Sequence, residues 1–196
     1  LSSSIFIFFI IFFPILNLIR VALNFDPLKI NNSKSTPYSY EIFSSDNNDF
    51  GNQPNSDVGP ITLAHPGTLP MVSKEVIDMG MKLGIALEGT ISRNLIFDRK
   101  NYFYPDLPKG YQITQDATPI CEGGIVKIRS DDCPHFDVKL TKIHLEEDAG
   151  KSSHDMFETE TAIDLNRTGT PLLEIVSEPD LYSAKDAATY FLAIQE

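Results

Sequence analysis

Cysteine is scarce in this chain, with Cys121 and Cys133 the only two in 196 residues and no Cys-x-x-Cys anywhere. That excludes a thioredoxin-like redox motif and a zinc ribbon. Cys121, Cys133, His135 and His144 match no common zinc-ligand spacing, which leaves two ordinary free thiols of a reducing compartment as the simpler reading. Positive charge is scarce too: 16 Lys and Arg stand against 27 Asp and Glu, for a formal net charge of −11. The body of such a chain is a poor electrostatic match for a polyanion, so nucleic-acid contact requires a local basic patch or a segment not present here. A P-loop is also missing. Gly150-Lys151-Ser152 has the right ending, but Leu145 stands where the first glycine belongs. No internal repeat occurs, and no Ser/His/Asp arrangement can be argued from spacing.

What is present begins oddly. The chain opens on Leu1, and Ile5 to Val21 is a nearly continuous apolar run broken by Pro14, Asn17 and Arg20. It is long enough for a signal peptide or anchor, but no basic segment precedes it and no small-residue cleavage site follows. An organelle-targeting segment would need more arginine than Arg20. The favoured expectation is sequence foreign to the domain. Asn31 to Asn55, rich in Ser, Asn, Asp and Pro, reads as linker. The expected division is residues 1–40 as apolar run and linker, and residues 41–196 as a partial catalytic domain.

Ordered signals start near Pro60, with Ile61 to Leu63 as a short strand candidate. Ser73 is placed as a helix N-cap with Glu75 in the first turn. Val76, Gly80, Leu83 and Leu87 share a helical face, and Gly89 ends the helix. Gly80 and Gly84 cost helix stability and point to close packing on a sheet. Ile125 to Ile128 and Phe136 to Leu140 form an expected antiparallel hairpin. Thr161 to Asn166 and Leu172 to Val176 are further strands flanking a turn at Asn166-Arg167-Thr168-Gly169. Ser183 and Asp186 resemble a capping box that starts a helix with Ala187, Tyr190, Phe191 and Ile194 on one side. The fold class expected is α+β, a mixed or antiparallel sheet with flanking helices.

Two features carry chemistry. Glu174 lies inside Leu172-Leu173-Glu174-Ile175-Val176, an apolar run that reads as a buried strand. A carboxylate there must be protonated, paired with a cation or bound to metal; the competing reading is an edge strand with Glu174 facing water. His144-Leu145-Glu146-Glu147-Asp148 is the second. If the preceding strand continues, Ile143, Leu145 and Glu147 share one face, and His144 and Glu146 the other. Glu147 is then the acid on the apolar side and Glu146 the more exposed one. Glu147 and Glu174 together suggest a site for a hard cation such as Mg²⁺, which points to phosphoryl transfer from a nucleotide. The segment Phe97 to Gln112 supplies Arg99, Lys100, Tyr102, Tyr104 and Tyr111, basic and aromatic groups suited to the wall of a polar-ligand site. A carboxylate-rich β module that holds a divalent cation without chemistry stays open beside the enzymatic reading.

Phe97 to Gln112, Ile143 to Lys151, Asp164 to Asp180, and His65-Pro66-Gly67-Thr68-Leu69-Pro70 closely resemble the B-type subunits of the aspartyl/glutamyl-tRNA amidotransferases. The likeness covers residues 43–196. It implies a piece of a catalytic cradle domain from an enzyme that uses ATP and Mg²⁺ to phosphorylate the side-chain carboxylate of Glu-tRNA(Gln) or Asp-tRNA(Asn). Ammonia from a separate amidase subunit then displaces the phosphate, and a small third subunit completes the heterotrimer. By the same resemblance Glu147 and Lys100 are catalytic, and Glu147 and Glu174 are metal ligands; from their own chemistry Arg99, Tyr102, Tyr104, Tyr111 and Lys151 are candidates for binding substrate or ATP. Contact with mischarged tRNA is expected mainly from later domains. The implied location is a bacterial cytoplasm or a mitochondrion, with no membrane contact by the core domain. The family also opens with a strand bearing Gly-Leu-Glu-Val-His, whose Glu and His help bind metal, and Leu1 to Tyr40 holds no equivalent. The chain is therefore expected to be inactive alone.

Overall fold

The computed structural model describes residues 7–11, 19–24, 52–130 and 133–195. Among them, two helices pack against a set of antiparallel strands, an α+β arrangement. The strands are β1 (Ile7–Ile11), β2 (Ile19–Asn24), β3 (Thr90–Ile91), β4 (Asp98–Asn101), β5 (Tyr111–Thr114), β6 (Cys121–Glu122), β7 (Ile125–Ser130), β8 (Cys133–Glu147), β9 (Lys151–Ser153), β10 (Ala162–Asp164) and β11 (Pro171–Ser177). The helices are α1 (Lys74–Ala86) and α2 (Ala184–Gln195). The main sheet has seven strands in the order β1-β2-β11-β8-β6-β3, with β7 paired to β8. Two small hairpins, β4–β5 and β9–β10, lie outside it.

The organising strand is β8, 15 residues long. Its first half pairs with β7 as the expected hairpin, and its second half pairs with β11. β11 is sandwiched between β8 and β2, and all seven of its residues are buried. An edge strand with Glu174 in water is thereby excluded. β2 lies in the segment expected to be foreign to the domain, and its backbone sets Ala22 opposite Glu174.

Alternation then divides the two faces. Leu145 pairs with Leu173 and Ile143 with Ile175; all four are buried and lie on the side that α1 covers. Each such side chain contributes roughly 1.5–3 kcal/mol on burial. A Cβ added to Gly80 would stand 2.8 Å from Ile120 Cδ1 and 3.4 Å from Leu173 Cδ1, so the helix reaches this distance only because glycine is there. His144 pairs with Glu174, and Glu146 with Leu172, on the opposite face.

Ser73 caps α1 as expected, its hydroxyl accepting from the Glu75 amide at 3.2 Å. Two local expectations are corrected. Ile61 to Leu63 forms no strand: the Leu63 amide donates to Gly59 O at 3.0 Å and the His65 amide to Pro60 O at 2.8 Å, which wraps the chain into turns. The left-handed residue after α1 is Glu88 (φ 60°), not Gly89. Gly89 is needed for space instead, since a Cβ there would meet Cys121 Sγ at 2.2 Å.

Candidate functional site

Three side chains from two adjacent strands converge on the face away from α1. His144, Glu146 and Glu174 are all buried, and one ligand atom from each lies within 4.8 Å of the other two. His144 Nε2 is 3.0 Å from Glu146 Oε1 and 3.7 Å from Glu174 Oε2. The second ring nitrogen, Nδ1, is buried with no hydrogen-bond partner among the described residues. Two desolvated carboxylates beside one imidazole are costly unless a cation joins them. Two oxygen donors and one nitrogen suit a divalent ion such as Mg²⁺ or Mn²⁺, so the residues fit such a group.

The hairpin β4–β5 completes this site. Thr114 Oγ1 donates to Glu146 Oε1 at 2.6 Å, and Gln112 Nε2 reaches Glu146 Oε2 at 3.3 Å and the Glu147 carbonyl at 2.6 Å. Burial pushes the Glu146 carboxyl up, but hydrogen bonds from His144 and Thr114, with the charges of His144 and Lys100, hold it below the ordinary value. Glu146 is thus a buried, ionised acid; it is the more exposed of the two neighbours, as alternation suggests, but only by 6 % against 0 % for Glu147.

Glu147 lies on the face that alternation gives it, but not in the cluster with Glu174. It falls with Ile143 and Leu145 in the alternation, whereas Glu174 falls with His144, so Glu147 and Glu174 do not converge on one ion. Lys109 Nζ lies 2.6 Å from Glu147 Oε1 and 2.5 Å from Oε2, and the Ile113 amide donates to Oε1 at 2.9 Å. Burial raises the Glu147 carboxyl above its usual range against the opposing pull of Lys109 and Ile113. Asp148 has its own partner, with Arg167 Nε at 3.1 Å. The same guanidinium donates to Ala149 O at 3.1 Å and Gly150 O at 3.0 Å. Three consecutive acids therefore avoid mutual repulsion by taking three separate sets of partners.

The other expected site residues are spread along the hairpin and beyond it. Arg99 and Lys109 flank the Tyr111 ring, 5.0 and 5.3 Å from its centroid. Lys100 lies 5.9 Å from the Tyr102 ring, which meets Tyr104 edge-on at 5.7 Å. Burial and the nearby charges of Asp106, Glu146, Glu147 and Asp148 push the Tyr102 hydroxyl up to about 12, so it remains protonated at neutral pH. Arg99, Lys100 and Tyr104 are exposed, and the neighbouring Phe103 is 89 % exposed. Lys151 stands apart on the β9–β10 hairpin, opposite Asp164. Lys109, Gln112 and Thr114 are not among the residues expected from sequence. The signal for two of them is the polar-apolar alternation Gln112-Ile113-Thr114, a short strand with one polar side.

A family model described as the GatB/GatE catalytic domain matches residues 36–196. The chain is 53 % identical over 157 residues to the B-type subunit of the aspartyl/glutamyl-tRNA(Asn/Gln) amidotransferase of Hydrogenovibrio crunogenus, covering 80 % of this chain and 33 % of that protein. It is 49 % identical over 167 residues to the corresponding amidotransferase subunit of Pseudomonas savastanoi pv. phaseolicola, covering 85 % and 34 %. That of Halorhodospira halophila is 51 % identical over 150 residues, covering 76 % and 31 %. The chain thus spans about a third of the length of these relatives.

Proposed function

The chain belongs to the GatB/GatE catalytic-domain family, and on that premise we propose that it carries the cation site of a tRNA-dependent amidotransferase. In this reading the whole protein is the ligase-type subunit of a heterotrimer, working with an amidase subunit and a small third subunit. Its substrate is Glu-tRNA(Gln) or Asp-tRNA(Asn), and ATP is consumed. The observation that supports the reading is the convergence of His144, Glu146 and Glu174 on one buried face inside the stretch matched by the family.

His144, Glu146 and Glu174 would hold Mg²⁺. When bound, that ion supplies positive charge to the ATP phosphates and to the carboxylate under attack. Arg99 and Lys100 on the hairpin offset further negative charge, and Tyr102 offers a hydroxyl that stays protonated. Tyr111, held between Arg99 and Lys109, gives a rigid wall that limits water beside the acids. Glu147 is the group suited to proton handling. Its carboxyl sits above the usual range through burial, and its oxygens can take a proton from the incoming ammonia while Lys109 keeps it oriented. Lys151 is kept as a phosphate contact from the β9–β10 hairpin. Residues 41–196 are taken as the partial catalytic domain, with β2 from the preceding segment pairing alongside β11 in the same sheet. A bacterial cytoplasm or a mitochondrion is the proposed location; no helix among the described residues is long and apolar enough to cross a membrane.

The test is amide formation on mischarged tRNA by the whole protein with its two partner subunits. Glu146→Gln and Glu174→Gln should each abolish ATP-dependent turnover. Full activity in both variants would overturn the cation site.

A further inference from the structure

The two side chains that β5 sends into the acid cluster are not ligands, yet they govern one. We infer that Thr114 and Gln112 are positioning residues that fix the Glu146 carboxylate for its cation, so that the β4–β5 hairpin sets the affinity of the site. The inference rests on the cation reading proposed above.

The geometry is specific. Glu146 accepts from Thr114 on Oε1 at 2.6 Å, and Gln112 approaches Oε2 at 3.3 Å. His144 Nε2 stands 3.0 Å from the same Oε1, a separation that an ion shared by the two residues would occupy. A carboxylate offers about four lone-pair sites, so the two contacts from β5 hold the group while leaving sites for an ion. A glutamate with free rotamers would lose side-chain entropy on binding a cation. Here β5 removes that freedom beforehand. Threonine suits the task because its branched Cβ restricts χ1 and so aims the hydroxyl.

β5 is itself pinned to the end of β8. The Ile113 amide donates to Glu147 Oε1 at 2.9 Å, and Gln112 Nε2 donates to the Glu147 carbonyl at 2.6 Å. Its partner strand β4 sets Lys100 opposite Gln112 and Asp98 opposite Thr114, and all four β4 residues are exposed. The hairpin therefore presents a solvent-facing basic strand on one edge and the Glu146 clamp on the other. Whatever settles against Arg99 and Lys100 bears on the same two-stranded unit that holds the metal ligand.

Isothermal titration of the full chain with Mn²⁺, and separately with Mg²⁺, tests this. Thr114→Val keeps the shape and deletes the hydroxyl, and should weaken binding about tenfold, the size expected when a supporting partner of a ligand is lost. Thr114→Ser restores the hydroxyl and should bind within roughly twofold of the parent, a rescue that a merely steric role would not produce. Gln112→Met, which removes the amide at similar length, should also weaken binding and guards against a folding defect in the valine variant. In the amidation assay Thr114→Val should raise the Mg²⁺ concentration needed for half-maximal rate and leave the saturated rate near that of the parent. Parent-like affinity in both Thr114→Val and Gln112→Met, or an equal loss in Thr114→Ser, overturns the inference alone. Absence of any cation binding by the parent chain overturns it together with the function proposed above.

Discussion

At the residue scale the decisive contrast is between adjacent glutamates. Glu146 and Glu147 are neighbours in a strand and so face opposite ways. One joins the cluster with His144 and Glu174, and the other an internal ion pair. Both members of the Lys109–Glu147 pair are nearly or wholly buried, so removing one charge strands the other. Glu147→Gln should therefore destabilise the fold by about 3–5 kcal/mol, measured by urea denaturation. Replacing both, as Lys109→Met with Glu147→Gln, should recover most of that loss; a double variant as unstable as the single one would contradict the pairing. Glu174→Gln leaves the Lys109–Glu147 pair intact, and is expected to lose cation binding in titration with much less effect on the unfolding midpoint.

The elements are held by devices of modest size. Ser73→Ala deletes the N-cap of α1 and should cost about 1 kcal/mol in denaturant unfolding. The glycines around that helix act through space. Gly89→Ala forces a methyl against Cys121 Sγ and within 3.1 Å of the Gly123 carbonyl, and should cost about 1–3 kcal/mol as overpacking. Adding Cys121→Ala removes the sulfur and should recover part of the Gly89→Ala loss. Two fully additive penalties in a double-mutant cycle would count against this account.

For the whole molecule, the buried acids give pH dependences of opposite sign. Glu147 is held above its ordinary value, so its contribution is present below the unfolded pKa and lost as pH rises through the folded one. Glu146 is held below, so its contribution is present above the unfolded pKa and lost as pH falls through the folded one. Starting from a carboxylate value of 4.5, thermal melts should show stability falling as pH drops below it because of Glu146, and a separate loss as pH rises above it because of Glu147. Glu146→Gln should flatten the acid limb alone. An unchanged acid limb in that variant would show that another group carries it. The net charge of −11 adds a general repulsion that salt screens.

How much of this was legible beforehand differs by element. The capped helix, the β7–β8 hairpin and the buried Glu174 strand follow from local pattern, because capping, alternation and apolar runs are properties of a few neighbouring residues. The glycine pair at 80 and 84 signalled a close helix–sheet contact for the same reason. The family resemblance, too, lay in linear motifs. What the sequence alone could not supply was register. Which residue of β8 stands opposite Glu174 depends on how two strands far apart in the chain align, and a shift of one residue exchanges Glu146 for Glu147. The roles of Lys109, Gln112 and Thr114 depend likewise on where the β4–β5 hairpin lies against β8. Side-chain identity determined that carboxylates would be buried here, and only tertiary pairing decided which of them meet.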